Sequence, residues 1–298
     1  MSDEKIFDVV IHTTSPRIDP ANKPIKSRFG LSSDLYIDRL PRDLSNKIFK
    51  ACIPGGYNFE PVLQFGQLYS FIRDNPPITN DNDLRWDSDQ RLQICLALSR
   101  IIHPTSISFE YAARIITNQD GSPRKIIPGP VSGLGSHAFV VETEFNCLTE
   151  SDAEDLRELL KAFEDKPLRD PIARTMWYLE YAFRSSEIDL RWILIATGIE
   201  VMIHTDRHQS TRQFVERIQK LSIDVGAGTI DKAKAEDMYE LRSSLSHGQG
   251  LGRITPEMKE TYKKMEDILR LTIRKAILET SFRNMLSDPD QIRKIWPI

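Results

Sequence analysis

Residues 241–248 read LRSSLSHG, and this stretch decides how the C-terminal half of the chain is interpreted. At about 100° of rotation per residue, its two leucines share the apolar arc of a helix, and Arg242 lies on the flank of that arc. Gly248 suits the position just after a helix, where the chain turns left-handed. We therefore expect His247 in the last helical turn, free to swing toward Arg242. A phosphate would then fit between a fixed cation and a titratable imidazole.

A simpler interpretation fits the same pattern. Arg242 and His247 are then ordinary polar residues on a solvated helix face, because the helix dipole favours cationic side chains near a C-terminus. Of the six histidines in the chain, however, only His247 has an arginine four to six residues before it.

The chain after residue 167 is predicted to be helical throughout. Pro171 suits a helix start, and the stretch 190–200 is apolar nearly all round, which is typical of a central bundle helix. A third helix is expected at about 210–221, and the motif helix at about 230–246. The longest helix opens at Thr255-Pro256 and is expected to end near Phe282, and a last one lies near 290–296.

The chain before residue 167 has a mixed pattern. Residues 6–11 and 138–144 read as strands, and a hairpin turn is predicted at Asp120-Gly121 between two further strands. Helices are expected at 42–52, 61–73 and 88–102, and at 149–165, where Thr149 and Asp152 have capping-box spacing. Pro167 and Pro171 then disfavour a continuous helix. These patterns predict a mainly α protein with an α+β N-terminal domain, 1–167, and a helical C-terminal domain, 168–298.

Composition limits the classes of function. The 298 residues carry a net charge of −3, which excludes a globally basic nucleic-acid binder, so any RNA contact must be local. Neither a signal peptide nor a stretch long enough to span a membrane is visible, which predicts a soluble, cytoplasmic protein. Three widely separated cysteines indicate reduced, buried thiols rather than a disulfide framework or a metal cluster.

Residues 168–298 resemble the HEPN superfamily, particularly its ApeA-like branch. The signature of that branch is an Arg-x4-6-His motif late in a helical bundle, and 241–248 matches it. The apolar helix containing Glu200 and the segment 214–218 (FVERI) precede the motif in the expected order. The chain departs from the pattern at Ser243, where many members carry Asn, Asp or His.

The resemblance implies a metal-independent endoribonuclease of a defence or toxin type, acting without a cofactor. A ribose 2′-hydroxyl attacks the neighbouring phosphate, so RNA is cleaved and DNA is not. His247 would serve as acid or base, since a histidine ordinarily titrates near neutral pH. Arg242 would stabilise the charge that develops on phosphorus, and Ser243 would orient the imidazole or the phosphate. The family typically dimerises, which implies a homodimer whose two Arg242/His247 pairs face each other.

Other functions remain open. The leading alternative is a non-catalytic HEPN interaction or nucleotide-binding module that dimerises and signals to a partner. In a third, the N-terminal half is the functional domain and the bundle only dimerises. We recognise no reaction in the N-terminal domain, which is a candidate site for a regulatory partner or ligand.

Several further residues are candidates for supporting roles. In so apolar a helix, Glu200 is expected to form an ion pair with Arg217 or Arg242, and it can thereby hold the motif arginine. Arg253 is a candidate for a local phosphate contact. His204 and His208 have i, i+4 spacing, but solvated loop histidines are a better interpretation than a zinc site. The glycine-rich stretch 129–137 lacks the ending of a phosphate-binding P-loop and is expected to be a loop before a strand.

Overall fold

A computed structural model shows a chain that divides into two compact units, Met1–Leu160 and Lys161–Ile298. The division falls seven residues before the predicted boundary at 167/168, within a helix that begins at Glu150. The structure describes residues 5–14, 25, 27–52, 66–76, 90–102, 109–133, 148–168, 171–185, 187–206, 209–250 and 252–298.

The N-terminal unit is built on a six-stranded antiparallel sheet with strand order β2-β3-β4-β1-β5-β6. The strands are β1 Lys5–Thr14, β2 Phe29–Gly30, β3 Leu35–Asp38, β4 Gly66–Asp74, β5 Phe109–Thr117 and β6 Pro123–Gly133. The helices are α1 Arg42–Cys52, α2 Gln90–Ile102 and α3 Glu150–Asp165, of which the last crosses into the second unit. The α+β character predicted for this part of the chain is confirmed.

One face of the sheet packs against α1. Val9 of β1 lies opposite Ile72 of β4 and Ala113 of β5, so the three side chains point to the same face. Ile48 and Phe49 of α1 complete this core. Because successive strand residues alternate between faces, the intervening residues of β1 and β5 are directed to the opposite face.

The opposite face carries buried charges. Asp8 and Arg114 are direct cross-strand partners, and Arg114 donates two hydrogen bonds to the carboxylate, at 2.7 and 2.8 Å. His12 lies opposite Glu110, at 3.0 Å, and Arg100 of α2 donates to the same carboxylate oxygen at 2.6 Å. All five side chains are at most 7% exposed. The Asp8–Arg114 ion pair and the His12–Glu110 contact thus both link β1 to β5.

Two predictions in the N-terminal unit need correction. The helix expected at 61–73 is wrong over its described part, because residues 66–74 form strand β4. β4 lies between β3 and β1, and Ser70, Phe71 and Ile72 are all buried, so the run shows little of the alternation of a half-buried strand. The loop expected at 129–137 is strand up to Gly133. The strand expected at 138–144 lies outside the described residues.

Other predictions in this unit are confirmed. The hairpin turn falls at Asp120-Gly121, where Gly121 has a φ of +80° and Asn118 N–H donates to Ser122 O. Thr149 and Asp152 form the capping box, since each backbone N–H donates to the other side chain. Cys95 is buried, and burial raises the pKa of the half-buried Cys52 thiol to about 11, whereas Cys147 lies outside the described residues.

The second unit is a helical bundle. After the end of α3 it contains α4 Ile172–Arg184, α5 Ile188–Ile203, α6 Ser210–Asp224, α7 Lys232–Ser246, α8 Pro256–Leu278, α9 Thr280–Leu286 and α10 Pro289–Ile295. None of the helices in the described ranges is both long enough and apolar enough to cross a membrane.

Helix α5 is the centre of this bundle, as its apolar sequence predicts. It packs against α4, α6, α7 and α8, and Trp192 and Ile199 are fully buried. At Gly198 a Cβ atom would lie 3.0 Å from Cδ2 of Leu269 in α8, so the glycine permits the close approach of these two helices. Helix α8 ends at Leu278 rather than near Phe282. Arg283, on the short helix that follows, donates to the carbonyls of Ala276 and Ile277 at the end of α8.

Helix α8 also carries a carboxyl group in an unfavourable position. Burial raises the pKa of Glu266 from its ordinary 4.5 to about 7, although Arg270 and Arg191 lower it. The folded chain therefore binds this proton more tightly than the unfolded chain does. The stability that the protonated group contributes is fully present below about pH 4.5 and is lost as the pH rises through about 7.

We predict that Glu266→Gln stabilises the chain relative to wild type more at pH 8 than at pH 5, by about 1–3 kcal/mol. Thermal unfolding followed by circular dichroism at the two pH values measures this difference. Glu260→Gln, at an exposed position of the same helix, is the control and should show no such change. An equal effect of the two substitutions would contradict the prediction.

In the N-terminal unit, Asp8→Ala should destabilise the sheet by about 3–5 kcal/mol, because it leaves the Arg114 guanidinium buried without this carboxylate. Glu154→Ala removes an exposed carboxylate that pairs with Arg157 and should change stability by less than about 1 kcal/mol. Hydrogen exchange of β1 and β5 peptides, followed by mass spectrometry, reports on this unit alone. Similar protection in the two variants would show that the buried pair does not hold the strands.

Candidate functional site

Helix α7 carries the predicted motif. It begins where the side chain of Asp231 accepts a hydrogen bond from Lys234 N–H, and its apolar arc of Ala235, Met238 and Leu245 is buried. The helix packs against α5 and α6. This packing fixes which side chains of the motif face the bundle and which face outward.

Arg242 lies at the edge of the buried arc of α7. Its Nη2 donates a hydrogen bond to Oε2 of Glu200 on α5, at 2.5 Å. The Arg242 side chain is 28% exposed and that of Glu200 is 12% exposed. Within the described part of the chain, the Nε of Arg242 is buried and has no hydrogen-bond acceptor. Of the two partners predicted for Glu200, the structure thus shows Arg242.

Two opposing effects act on Glu200. Burial raises the pKa of its carboxyl group, and the charge and hydrogen bond of Arg242 lower it, but burial is the larger effect. The neighbouring residue Ile199 is fully buried, in keeping with the apolar character of α5. The attraction of Arg242 therefore does not fully offset the removal of this carboxylate from water.

His247 is the residue at which α7 ends, and it is exposed. The helix closes in a Schellman motif: Gly248 N–H donates to Leu245 O, and Gln249 N–H donates to Ser244 O, both at 3.0 Å. Gly248 has a φ of +80°, as the sequence predicts for the position after the helix. The imidazole therefore stands at a defined, solvent-facing end of the helix.

Within one chain, Arg242 and His247 point in different directions. Five residues of an α-helix separate two side chains by about 140° of rotation and about 7.5 Å of rise. Arg242 is directed toward α5, whereas His247 is exposed. A single copy in this conformation does not place guanidinium and imidazole on one phosphate, so convergence requires movement of Arg242, a second copy, or both.

The other predicted residues take different positions. Ser243 is partly buried on α7, and Arg253 is exposed in the segment before α8. Arg217 is 2% exposed, and it donates to the carbonyls of Ile203 and His204, which end α5. Arg217 therefore caps α5 from inside the bundle.

The two histidines considered for a metal do not form a site in the described part of the chain. His204 ends α5 with a φ of +48°, and its Nε2 lies 2.8 Å from Leu286 O. His204 thus makes a contact within the helical unit and is not the solvated loop residue that the sequence predicts. His208 lies outside the described residues. No group of three metal-ligating side chains occurs in the described ranges.

A surface pocket of about 330 Å³ opens between α7 and α8. It is lined by three carboxylates, one ammonium group and four uncharged side chains: Asp237, Glu240, Glu257, Lys234, Leu241, Ser244, Met258 and Thr261. Its negative balance repels phosphate. A polyanion would therefore approach α7 from another side.

Sequence reasoning missed the buried charges of the N-terminal sheet. Asp8 and His12 are four residues apart, as are Glu110 and Arg114, so each pair projects from one face of its strand. Polar side chains repeated at this spacing in an apolar strand were the available signal. The residues are almost fully buried: Asp8 forms an ion pair with Arg114, Glu110 forms one with Arg100, and His12 lies within hydrogen-bond distance of Glu110.

Comparison of the chain with protein-family models, with curated proteins and with solved structures gives no match.

The Schellman motif makes a prediction about the end of α7. Gly248→Ala should destabilise this helix end by about 1 kcal/mol, because a left-handed residue with a Cβ is strained. Gly250→Ala is the matched control, since its Cβ would make only an ordinary contact, 3.6 Å from Asp189. Hydrogen exchange of the peptide covering 241–250 should be faster in the first variant alone. Equal exchange in both would show that the turn does not hold the helix end.

Proposed function

We propose that the chain is a metal-independent endoribonuclease of HEPN type, cleaving RNA by attack of the ribose 2′-hydroxyl. The observation that carries this proposal is the position of the motif. Arg242 is partly exposed beside α5, and His247 is exposed at a helix end one and a half turns later. Neither side chain is fully buried, and each presents part of its surface to solvent.

The proposed chemistry divides between the two side chains. His247 takes the proton of the 2′-hydroxyl or delivers one to the leaving 5′-oxygen, as an exposed imidazole within reach of both atoms can. Arg242 binds the non-bridging oxygens as negative charge builds on phosphorus. The nucleophile belongs to the substrate, so the protein needs neither a metal nor a cofactor for this step.

A second copy completes the proposed site. One motif supplies one imidazole, whereas the reaction uses both an acid and a base. In a homodimer formed through the helical unit, the second His247 supplies the missing group. Arg242 is directed toward α5 and His247 is exposed at the helix end, so the composite site requires Arg242 to leave Glu200 before it meets an imidazole. Ser243 and Arg253 are candidates for orienting and binding the RNA.

We predict that the wild-type chain cleaves mixed RNAs in the presence of EDTA and leaves 2′,3′-cyclic phosphate ends. His247→Ala and Arg242→Ala should each lower the rate by about 10²–10⁴-fold. Arg212→Ala, which removes a 64% exposed arginine on α6, is the control and should keep wild-type activity. Gel separation of labelled RNA and mass spectrometry of the product ends measure the outcome.

Other results would contradict the proposal. Equal cleavage by all four proteins indicates a contaminating nuclease. Cleavage by none favours the non-catalytic interaction or nucleotide-binding module. Light scattering at the assay concentration tests the composite site, because a strict monomer cannot form it.

A further inference from the structure

The contact between Glu200 and Arg242 bears on how the proposed site is controlled. The same guanidinium that would bind phosphate already donates to a carboxylate, at 2.5 Å. Carboxylate and phosphate oxygens are both strong acceptors for an arginine, so they compete for the same donors. In the structure, the Glu200 carboxylate therefore already occupies the position that a phosphate would take beside Arg242.

Electrostatics favour exclusion of phosphate while the pair is intact. A phosphate that approaches the paired guanidinium also comes close to the Glu200 carboxylate, which carries the same sign of charge and repels it. The repulsion offsets part of the attraction, so the paired Arg242 attracts RNA less than a free arginine would.

The pair is also poised to separate. The carboxylate stands on an apolar helix, where burial opposes its charge more than Arg242 supports it. The paired conformation leaves Arg242 Nε buried, and it has no acceptor in the described part of the chain. An unsatisfied buried donor is unfavourable, and outward movement of the side chain would bring this Nε into contact with water. The Arg242 side chain is 28% exposed, so a route to solvent is open.

We infer that Glu200 holds Arg242 in an autoinhibited contact, and that an RNA phosphate must displace the carboxylate to take over the guanidinium. This inference rests on the proposed function for the identity of the competing anion. Glu200 then limits RNA binding and does not take part in the chemistry. A carboxylate that only positioned the arginine would have the opposite effect when its charge is removed.

Glu200→Gln separates these two roles, because it keeps the shape and the acceptor oxygen but removes the charge. Binding of a fluorescent single-stranded RNA is measured by anisotropy at low salt, in a His247→Ala background that prevents cleavage. We expect Glu200→Gln to tighten binding about 5–10-fold, and Arg242→Ala to abolish the gain. Glu236→Gln is the matched control, since it removes an exposed carboxylate of α7 that pairs with Lys232. It should change binding less than twofold.

A second measurement needs no RNA. Phenylglyoxal labels arginine side chains, and mass spectrometry gives the rate at Arg242. We expect faster labelling in the Glu200→Gln chain than in the Glu236→Gln chain, because the guanidinium is released.

The two measurements distinguish the inference from the proposed function. If RNA binds but Glu200→Gln binds it no tighter than Glu236→Gln, the autoinhibited contact is refuted and the ribonuclease proposal stands. If no variant binds or cleaves RNA, the ribonuclease proposal fails. The labelling rates then decide whether Glu200 sequesters Arg242. Faster labelling then supports sequestration of Arg242, and equal labelling overturns it.

Discussion

The arrangement of the second unit depends on how one charge is accommodated: Glu200 is a carboxylate on α5, the buried central helix. Helix α5 packs against four other helices, and an apolar surface is the condition for that position. A carboxylate there is tolerated because Arg242 of α7 supplies a hydrogen bond and an opposite charge. The contact also joins the central helix to the helix that carries the motif. The orientation of Arg242 follows from this pair.

Helix ends were the features most readily predicted from the sequence. Gly248, the Thr149–Asp152 capping box and the Thr255-Pro256 start of α8 each act within one turn, so neighbouring residues determine them. The apolar helix α5 was identified for a related reason, since few other positions in a bundle accept an almost wholly apolar surface. Ion pairing of Glu200 followed from the cost of an unpaired charge in such a helix. Which of two arginines it meets depends on helix packing, and the sequence left that open.

The sheet was harder to predict from the sequence, because the pairing of its strands depends on residues distant in the chain. β4 is flanked by β3 and β1, and its run of consecutive buried residues is as typical of a buried helix segment as of a strand. The ion pairs of the N-terminal unit link β1 to β5 and β5 to α2, about 100 and 10 residues apart. Only the register of β1 on β5 brings Asp8 to Arg114 and His12 to Glu110. The sequence also did not predict that Arg242 and His247 point in different directions. That prediction requires knowing that Arg242 is directed inward to Glu200.

The charge around α7 bears on the proposed function. The chain is acidic overall, and the pocket between α7 and α8 adds three carboxylates beside the motif helix. With Arg242 neutralised by Glu200, the described surface of α7 offers RNA little positive potential. An enzyme with such a surface would bind RNA weakly until Arg242 is released, and release adds one unneutralised cation close to the imidazole end of the same helix. In the proposed ribonuclease, local electrostatics would therefore limit the binding of RNA without any obstruction of His247, which is exposed.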